Sequence, residues 1–533
     1  MTTGNAGEAP GAGVRASSML NTRRRMRELE TLAEGGEIDL LVIGGGVTGV
    51  GVALDAASRG LSVVLAEAHD LAFGTSRWSS KLVHGGLRYL ASGDLAVARE
   101  SAVERHLLMT RIAPHLVRPL PQLLPFVEGV SFRQRTIGSI GFLLGDGLRR
   151  IAGTPGAVLP RPHRASAGEA VAMFPAVSRS GLRGGMVAAD GQLIDDARLV
   201  TAIARTAAAH GATILTRTRV TDVGGDGATL EDALGGGSVR VRARVVVNAA
   251  GVWAGQLDTD IRLRPSRGTH IVLDAAALGN PTAALTVPHP GSISRYVFAL
   301  PTQLGRVIVG LTDVDAPGLI PDVPSPTGDE IDFLLATLSR ALERPLSRSD
   351  VRGSFAGLRP LVESGADDST ADISRRHRVE VSSNGSVSIL GGKLTTYRAM
   401  AKDAVDLACR HAGLDDPGCR TDRLPLVGAP GSPVPIADPV ASRRSSATLR
   451  SRYGAEAAAV LAASGSGGAE RVADGIQVIR AEVAFAVRAE GALDADDVLD
   501  RRTRIGLVPE DRAAAAGVVS EVVAETLAAL RPQ

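Results

Sequence analysis

The run DLLVIGGGVTGVGVALDAASRGLSVVLAE, from Asp39 to Glu67, constrains the fold of this chain more than any other stretch. An apolar strand over 39–44 meets a glycine-rich turn, a helix continues over 49–59, Gly60 caps it, and a second strand covers 61–67. That succession is a βαβ unit. Gly44, Gly46 and Gly49 match G-x-G-x-x-G at the strand-to-helix turn. The first permits the tight turn, the second lets a pyrophosphate approach the backbone, and the third lets helix and strand pack closely. Helix N-terminal N–H groups then face the phosphates. Glu67 closes the second strand, at the position where an acid hydrogen-bonds a ribose 2′-hydroxyl and disfavours a 2′-phosphate. Strand, helix and acid in register make dinucleotide binding the expected role of this unit.

The next stretch is chemically denser. TSRWSSKLVHGGLRYL gathers Ser, Thr, Lys, His and Arg directly after an apolar unit. Only three lysines occur in the chain, Lys81, Lys393 and Lys402, and the rest of the 59 basic residues are arginine. Lys81 and Lys393 both fall in Gly/Ser/Thr-rich motifs, where a compact ammonium differs from a guanidinium fork.

A length of 533 residues implies two or three domains. The net charge of +2 gives no reason to expect a nucleic-acid partner. Two cysteines, Cys409 and Cys419, form no CxxC pair, which excludes a Cys-ligated cluster or a four-Cys zinc site, and no metal site is expected. The absence of a disulfide framework fits a reducing, cytosolic compartment. No apolar run reaches the ~18 residues of a membrane span.

Along the chain, residues 1–37 read as a flexible tail, with the start of a short basic helix in NTRRRMRELETL. Helical spacing returns at 94–112 and at 195–210, the latter N-capped by Asp195 or Asp196. Strands are expected at 213–223 and 239–247, joined by the turn-rich GGDGATLEDALGGGS, and the second runs into VVVNAAGVWAG. Alternating segments at 263–272, 295–300 and 306–312 indicate a second, β-rich domain. A strand at 386–390 leads through GGKLTTYR into a helix to about residue 411. A Pro/Gly-rich linker then precedes an almost wholly helical end, 442–533. The exit at 245–251 and the late return at Gly391–Gly392 imply that three separated segments build one nucleotide domain. A compact nicotinamide domain would finish sooner, so FAD is favoured over NAD. No second G-x-G-x-x-G comes after a strand, which disfavours a separate NAD(P)H domain.

These motifs, with DARLV, NAAGVWA, GLRPL, GGKLTTYR and the late VRAEGALDADDVLDRRTRIGL, resemble FAD-dependent glycerol-3-phosphate dehydrogenases over roughly residues 38–510. KLVHGGLRYL and GGKLTTYR carry the resemblance most specifically. It implies an α/β (α+β) fold: a Rossmann-like FAD domain of the D-amino-acid-oxidase-like type, interrupted by a β-sheet substrate domain and followed by a C-terminal α-helical domain. The segments expected are 38–114, 186–260 and 352–412 for FAD, 115–185 and 261–351 for substrate, 413–440 as linker and 441–533 as the helical domain.

The implied reaction is oxidation of the C2 hydroxyl of sn-glycerol 3-phosphate to dihydroxyacetone phosphate, with hydride passing to flavin N5. His84 is the expected base, since a neutral imidazole accepts a proton near pH 7. Arg359 and Lys393 would polarise the substrate oxygen and stabilise negative charge. Arg88 and Tyr89, with Arg375, would hold the phosphate, for which an arginine fork is well shaped; His270 is a further substrate-site candidate. Besides the fingerprint residues, the resemblance implies cofactor contacts at Thr75, Ser76, Ser80, Lys81, Leu82, Val220, Gly251, Gly392, Leu394 and Thr395.

Departures from the family pattern concentrate at Arg77 and Trp78, which intrude among small residues in TSRWSS and bear on access to the flavin. No calcium-binding D-x-D-x-D-G loop comes after the helical domain, which disfavours the eukaryotic mitochondrial form. The family's bacterial dehydrogenases pass electrons to membrane quinone. The related oxidases use O₂, make H₂O₂ and carry a mid-chain insertion not seen here. The expectation is therefore a quinone-type acceptor and a cytoplasmic protein, with peripheral attachment to the inner face of the plasma membrane left open: the basic, apolar stretch at 133–150 suits an anionic surface and equally a helix packed on the substrate domain. A homodimer is left open. The competing readings are an O₂-using oxidase, an amino-acid or amine oxidase of the same broad fold, and a flavin-binding sensor without turnover.

Overall fold

The computed structural model describes residues 17–86, 94–362, 376–432, 434, 438–465 and 467–531. The architecture grows from the strand Glu37–Ile43, whose last four residues are fully buried. It runs parallel to Val63–Ala66 on one side and to Ser238–Asn248 on the other. Central parallel strands are covered on both faces and need near-continuous apolar runs, which LLVI, VVLA and VVV supply. Thr213–Leu215 extends the sheet beyond Val63–Ala66. Val387–Leu390 extends it beyond Ser238–Asn248, and the antiparallel Arg378–Val381 forms that edge. One sheet thus takes strands from three distant parts of the chain. The helices Val47–Ser58, Asp196–Ala209 and Tyr397–Ala412 pack side by side on it. Asp195 is the N-cap of the second of these, accepting from Arg198 N at 2.9 Å.

The stretch expected as a turn between two strands instead contains a strand, Gly227–Asp232, which pairs antiparallel with both Thr218–Gly224 and Ser238–Asn248. Its alternation is short, and the glycines at both ends mask it.

The second sheet is mainly antiparallel and centres on the long pair Leu263–Asp274 and Val351–Val362. It continues through Arg306–Gly310, Tyr296–Pro301 and Ala284–Pro288, then Val117–Pro125, Gly185–Leu193 and the short Leu82–Val83. The helix Gly328–Ser339 buries Leu334, Leu335 and Leu338 against it. Gly185–Leu193 and Val351–Val362 belong to this sheet, so it extends past the substrate-domain boundaries read at 185 and 351. Val117–Pro125 pairs with Gly185–Leu193 along its whole length, and that pairing decides the matter. Leu82–Val83 lets the segment after the fingerprint bridge the two sheets.

The C-terminal part is helical: Arg480–Ala489 and Pro509–Leu530 pack around Val483, Val487, Val519 and Val523, and Ala447–Tyr453 packs through Leu449 and Tyr453 with Phe485. Pro509–Leu530 is long and apolar enough to cross a membrane by length and composition, contrary to the expectation that no run is. In this fold it buries Ala515, Val519, Val522 and Val523, and Glu521 on its exposed side pairs with Arg480 at 2.6 Å.

Two segments expected to be loose are packed. Within the supposed tail, Thr22–Ala33 is a helix whose buried Arg25 reaches Asp232 at 2.6 Å and Thr216 O at 3.0 Å. Just ahead of it, Leu20 N donates to Ala489 O. In the linker region, Leu426 and Val427 are buried, and Val427 N donates to Thr206 Oγ1 at 3.0 Å.

Candidate active site

Glycine has a specific job at two fingerprint positions. Gly44 has φ +109°, where an L side chain is strained, and a Cβ there would lie 2.7 Å from Ala249 O. A Cβ on Gly49 would lie 1.9 Å from Gly44 O, so the helix sits directly on the turn. At the N-terminus of that helix, Val47 N donates to Ser76 Oγ at 2.9 Å. Glu67 turns its carboxylate onto the same turn, accepting from Gly45 N at 2.6 Å and from His69 N at 2.8 Å. Burial raises its carboxyl above the ordinary value, against the two amides that favour the anion.

A cavity of about 690 Å³ opens from this turn, within the ~300–1,000 Å³ of cofactor and ligand sites. Gly44, Gly46, Glu67, Thr75, Ser76, Val220, Gly251, Gly392, Leu394 and Thr395 line it. A Cβ on Gly251 would meet nothing within 4 Å, so that backbone stands open. The bare backbone, the helix N-terminus and the acid at the strand end together fit a dinucleotide.

The same cavity is lined by His84, Ser80, Leu82, His270, Arg359 and Lys393. His84 comes directly after Leu82–Val83, and the turn beyond it is fixed by Asp190, whose two oxygens each accept from Gly85 N at 3.2 Å. Asp190 is paired with Arg105 at 2.7 Å, and both are buried. Arg359 lies in register with Ser266, donating to Ser266 Oγ at 3.2 Å and to Thr312 O at 3.1 Å; Asp313 is 3.3 Å away. Gly268 makes room for its guanidinium, since a Cβ there would lie 2.4 Å from Nη2. Lys393 precedes the turn Leu394–Thr396 and donates to Ser101 Oγ.

His270 is buried, stacked on Phe355 with ring centroids 4.7 Å apart, and 2.8 Å from Ser80 Oγ. Burial, reinforced by the Lys81 and Arg359 charges, lowers its pKa to about 3. The imidazole is therefore neutral at physiological pH and acts by hydrogen bonding.

Gly49 does not line the cavity but packs behind the turn, in the helix–strand role read for it. Lys81 sits elsewhere, fully buried away from the cavity, paired with Asp196 at 2.8 Å and donating to Arg77 O at 3.2 Å. A buried ammonium held by a carboxylate stabilises the loop rather than a phosphate. Trp78 borders the cavity but also stacks on Phe355 at 5.5 Å and packs with Leu507 and Val508 of the C-terminal part. Arg77 lies over the Trp78 ring at 4.3 Å. Arg88, Tyr89 and Arg375 lie outside the described residues. Asp190, Arg105 and Ser101 were not anticipated. The signal available was Arg105, a charged residue at helical spacing from Ala98 and Ala102.

The fold and site define an FAD-dependent oxidoreductase of the D-amino-acid-oxidase-like class. Residues 39–407 match the family described as FAD dependent oxidoreductase, and 419–530 match the C-terminal domain of alpha-glycerophosphate oxidase. Glycerol-3-phosphate dehydrogenase 1 of Mycobacterium tuberculosis is 56% identical over 509 residues, covering 95% of this chain and 98% of that one. The mitochondrial glycerol-3-phosphate dehydrogenase SDP6 of Arabidopsis thaliana is 36% identical, covering 90% and 81%. Among solved structures, the glycerol-3-phosphate dehydrogenase from Bacillus halodurans complexed with FAD superposes with a TM-score of 0.72 at 27% identity, covering 96% of each chain. The chain belongs to the FAD-dependent glycerol-3-phosphate dehydrogenase family, and FAD is its cofactor.

Proposed function

We propose that the protein oxidises sn-glycerol 3-phosphate to dihydroxyacetone phosphate and delivers the two electrons to a membrane quinone. The observation that carries this reading is the continuous cavity joining the fingerprint glycines to His84, Arg359 and Lys393. FAD, when bound, supplies the two-electron oxidant that accepts the C2 hydride. His84 takes the hydroxyl proton as the C2–H bond breaks. Arg359 and Lys393 stabilise the negative charge that develops on the substrate oxygen. His270, neutral and fixed between Ser80 and Phe355, orients the substrate without adding charge. Arg88, Tyr89 and Arg375 hold the phosphate.

The helix Phe132–Ile151 supports the quinone as acceptor. Ile137, Gly138, Gly141 and Phe142 continue the cavity wall, which suits an apolar ring. On its outer side the same helix exposes Phe132, Ile140, Leu143, Leu144 and Ile151, with Arg133 and Arg150 beside them. Its one acid, Asp146, is buried and paired with Arg149 and Arg150. An apolar face flanked by cations fits the inner, anionic leaflet of the plasma membrane.

The test is anaerobic flavin absorbance. Glycerol 3-phosphate is expected to bleach it and glycerol is not; unchanged absorbance overturns the substrate. Reoxidation of the bleached protein by a quinone analogue is expected to outrun reoxidation by O₂, and the reverse order assigns the oxidase reaction.

A further inference from the structure

The loop that lines the cofactor cavity is held from outside its own domain. Residues 69–80 carry Thr75 and Ser76, and Ala72 N donates to Gly45 O of the fingerprint turn at 3.0 Å. At the start of the loop, Asp70 is only 1% exposed. Arg502 grips it with both terminal nitrogens, at 2.8 Å each, and Arg501 Nε adds a third contact at 2.6 Å. At the other end of the loop, Arg504 Nη2 donates to Arg77 O at 2.6 Å. Arg504 is itself in the left-handed region at φ +64°, a conformation uncommon for a residue other than glycine. Between these anchors Trp78 joins the apolar cluster of Phe355 and Val508, on which Leu507 also packs. Behind them, Asp497 accepts from Arg217 Nη2 at 2.8 Å and also from Arg501 Nη2. Arg217 N in turn donates to His69 O at 2.7 Å.

The geometry points to the 497–508 segment of the C-terminal helical domain as a clamp that sets FAD affinity, with Asp70, Arg501, Arg502 and Arg504 as positioning residues for the cofactor loop. The inference rests on the FAD assignment alone and is independent of substrate and acceptor. Linkage supplies the physical reason. If docking of the helical domain holds the loop in the shape that receives the dinucleotide, FAD must strengthen that docking by the same factor. A purely structural contact between domains would stabilise the fold without moving FAD affinity.

The molecule supplies its own control. Arg205 on Asp196–Ala209 makes a buried, bidentate contact at 2.7 Å with Glu456 of the helical domain, without touching the cofactor loop. The experiment measures FAD binding to deflavinated full-length protein by flavin fluorescence, for Arg502→Lys and for Glu456→Gln. Lysine keeps the charge but loses the two-pronged contact. Arg502→Lys is expected to raise the FAD Kd about tenfold or more, in the usual range of coupling between sites, and Glu456→Gln is expected to leave it unchanged. Equal effects of the two substitutions, or none from Arg502→Lys, overturn the clamp. Hydrogen exchange on the unsubstituted protein decides the matter independently, should Arg502→Lys fail to fold. FAD is expected to slow exchange across 497–508, and identical exchange with and without FAD overturns the proposal.

Discussion

Gly49 and Asp190 show how differently single residues declare themselves. Gly49 belongs to a local pattern, and its structural reason, a Cβ 1.9 Å from the Gly44 carbonyl, is set by backbone five residues away. Gly49→Ala must move that backbone, at an expected cost of ~1–3 kcal/mol from overpacking. The protein should purify with little flavin, read as its flavin absorbance per chain. Asp190 acts across a separation of 85 residues to Arg105, and nothing in AADGQ marks it as a partner of the turn after His84. Asp190→Asn removes the carboxylate that fixes Gly85 and leaves the buried Arg105 unpaired. Misplacing the base by about 1 Å is worth up to ~100-fold in rate, so kcat is expected to fall ~10–100-fold with flavin content unchanged. Loss of flavin instead would assign Asp190 to the cofactor site. The same distinction explains Lys81. Its place in a motif shared with the family gave a cofactor reading, whereas its partner, Asp196, lies 115 residues away. A role set by local backbone, as at Gly49, was legible, and a pairing set by a distant residue, as at Asp190 and Lys81, was not.

Among elements, the βαβ unit was readable because strand, turn and helix each carry their own period. The strand Gly227–Asp232 was not, since two glycine-rich ends conceal a six-residue strand that only its two neighbours define. The helix Phe132–Ile151 combines both situations. Its amphipathic sequence was visible, but only the fold shows that one side walls the cavity while the other faces outward. Each side has its own test. Gly141 borders the cavity and a Cβ on it would meet nothing within 4 Å, so the ring of Gly141→Trp narrows the cavity beside the helix. It is expected to slow reoxidation by a quinone analogue while substrate still bleaches the flavin. Slowed bleaching would instead put the substrate in this part of the cavity. On the outer side, Leu143→Glu with Leu144→Glu places two anions on the apolar face. Cosedimentation with anionic phospholipid vesicles is then expected to fall about tenfold or more, because each charge opposes both apolar burial and the surface potential. Unchanged cosedimentation would remove this helix from the membrane contact.

At the scale of the whole molecule, buried ion pairs tie the helical domain to the cofactor domain, and this couples stability to pH. Asp70 is the clearest case. Burial alone would raise its carboxyl, but Arg502 and Arg501 overcome that and hold it at about 2, below its ordinary 3.8. A group whose folded pKa is depressed contributes stability above its unfolded pKa and loses it as pH falls through the folded one. Asp70 therefore contributes fully above about pH 4, and its contribution vanishes towards pH 2. The shift corresponds to about 2 kcal/mol. Removing one partner of a buried pair costs more than that, because Arg501 and Arg502 are then left facing a neutral group. Asp70→Asn is accordingly expected to be less stable than the unsubstituted protein at about pH 6 in urea unfolding, within the ~3–5 kcal/mol typical of a broken buried pair. The gap should narrow as pH falls below about 4, since acid neutralises the same carboxyl in the unsubstituted protein. A gap that stays constant between about pH 6 and about pH 3 would mean that the arginines are satisfied without the Asp70 charge, and that the seam between the domains does not depend on this pair.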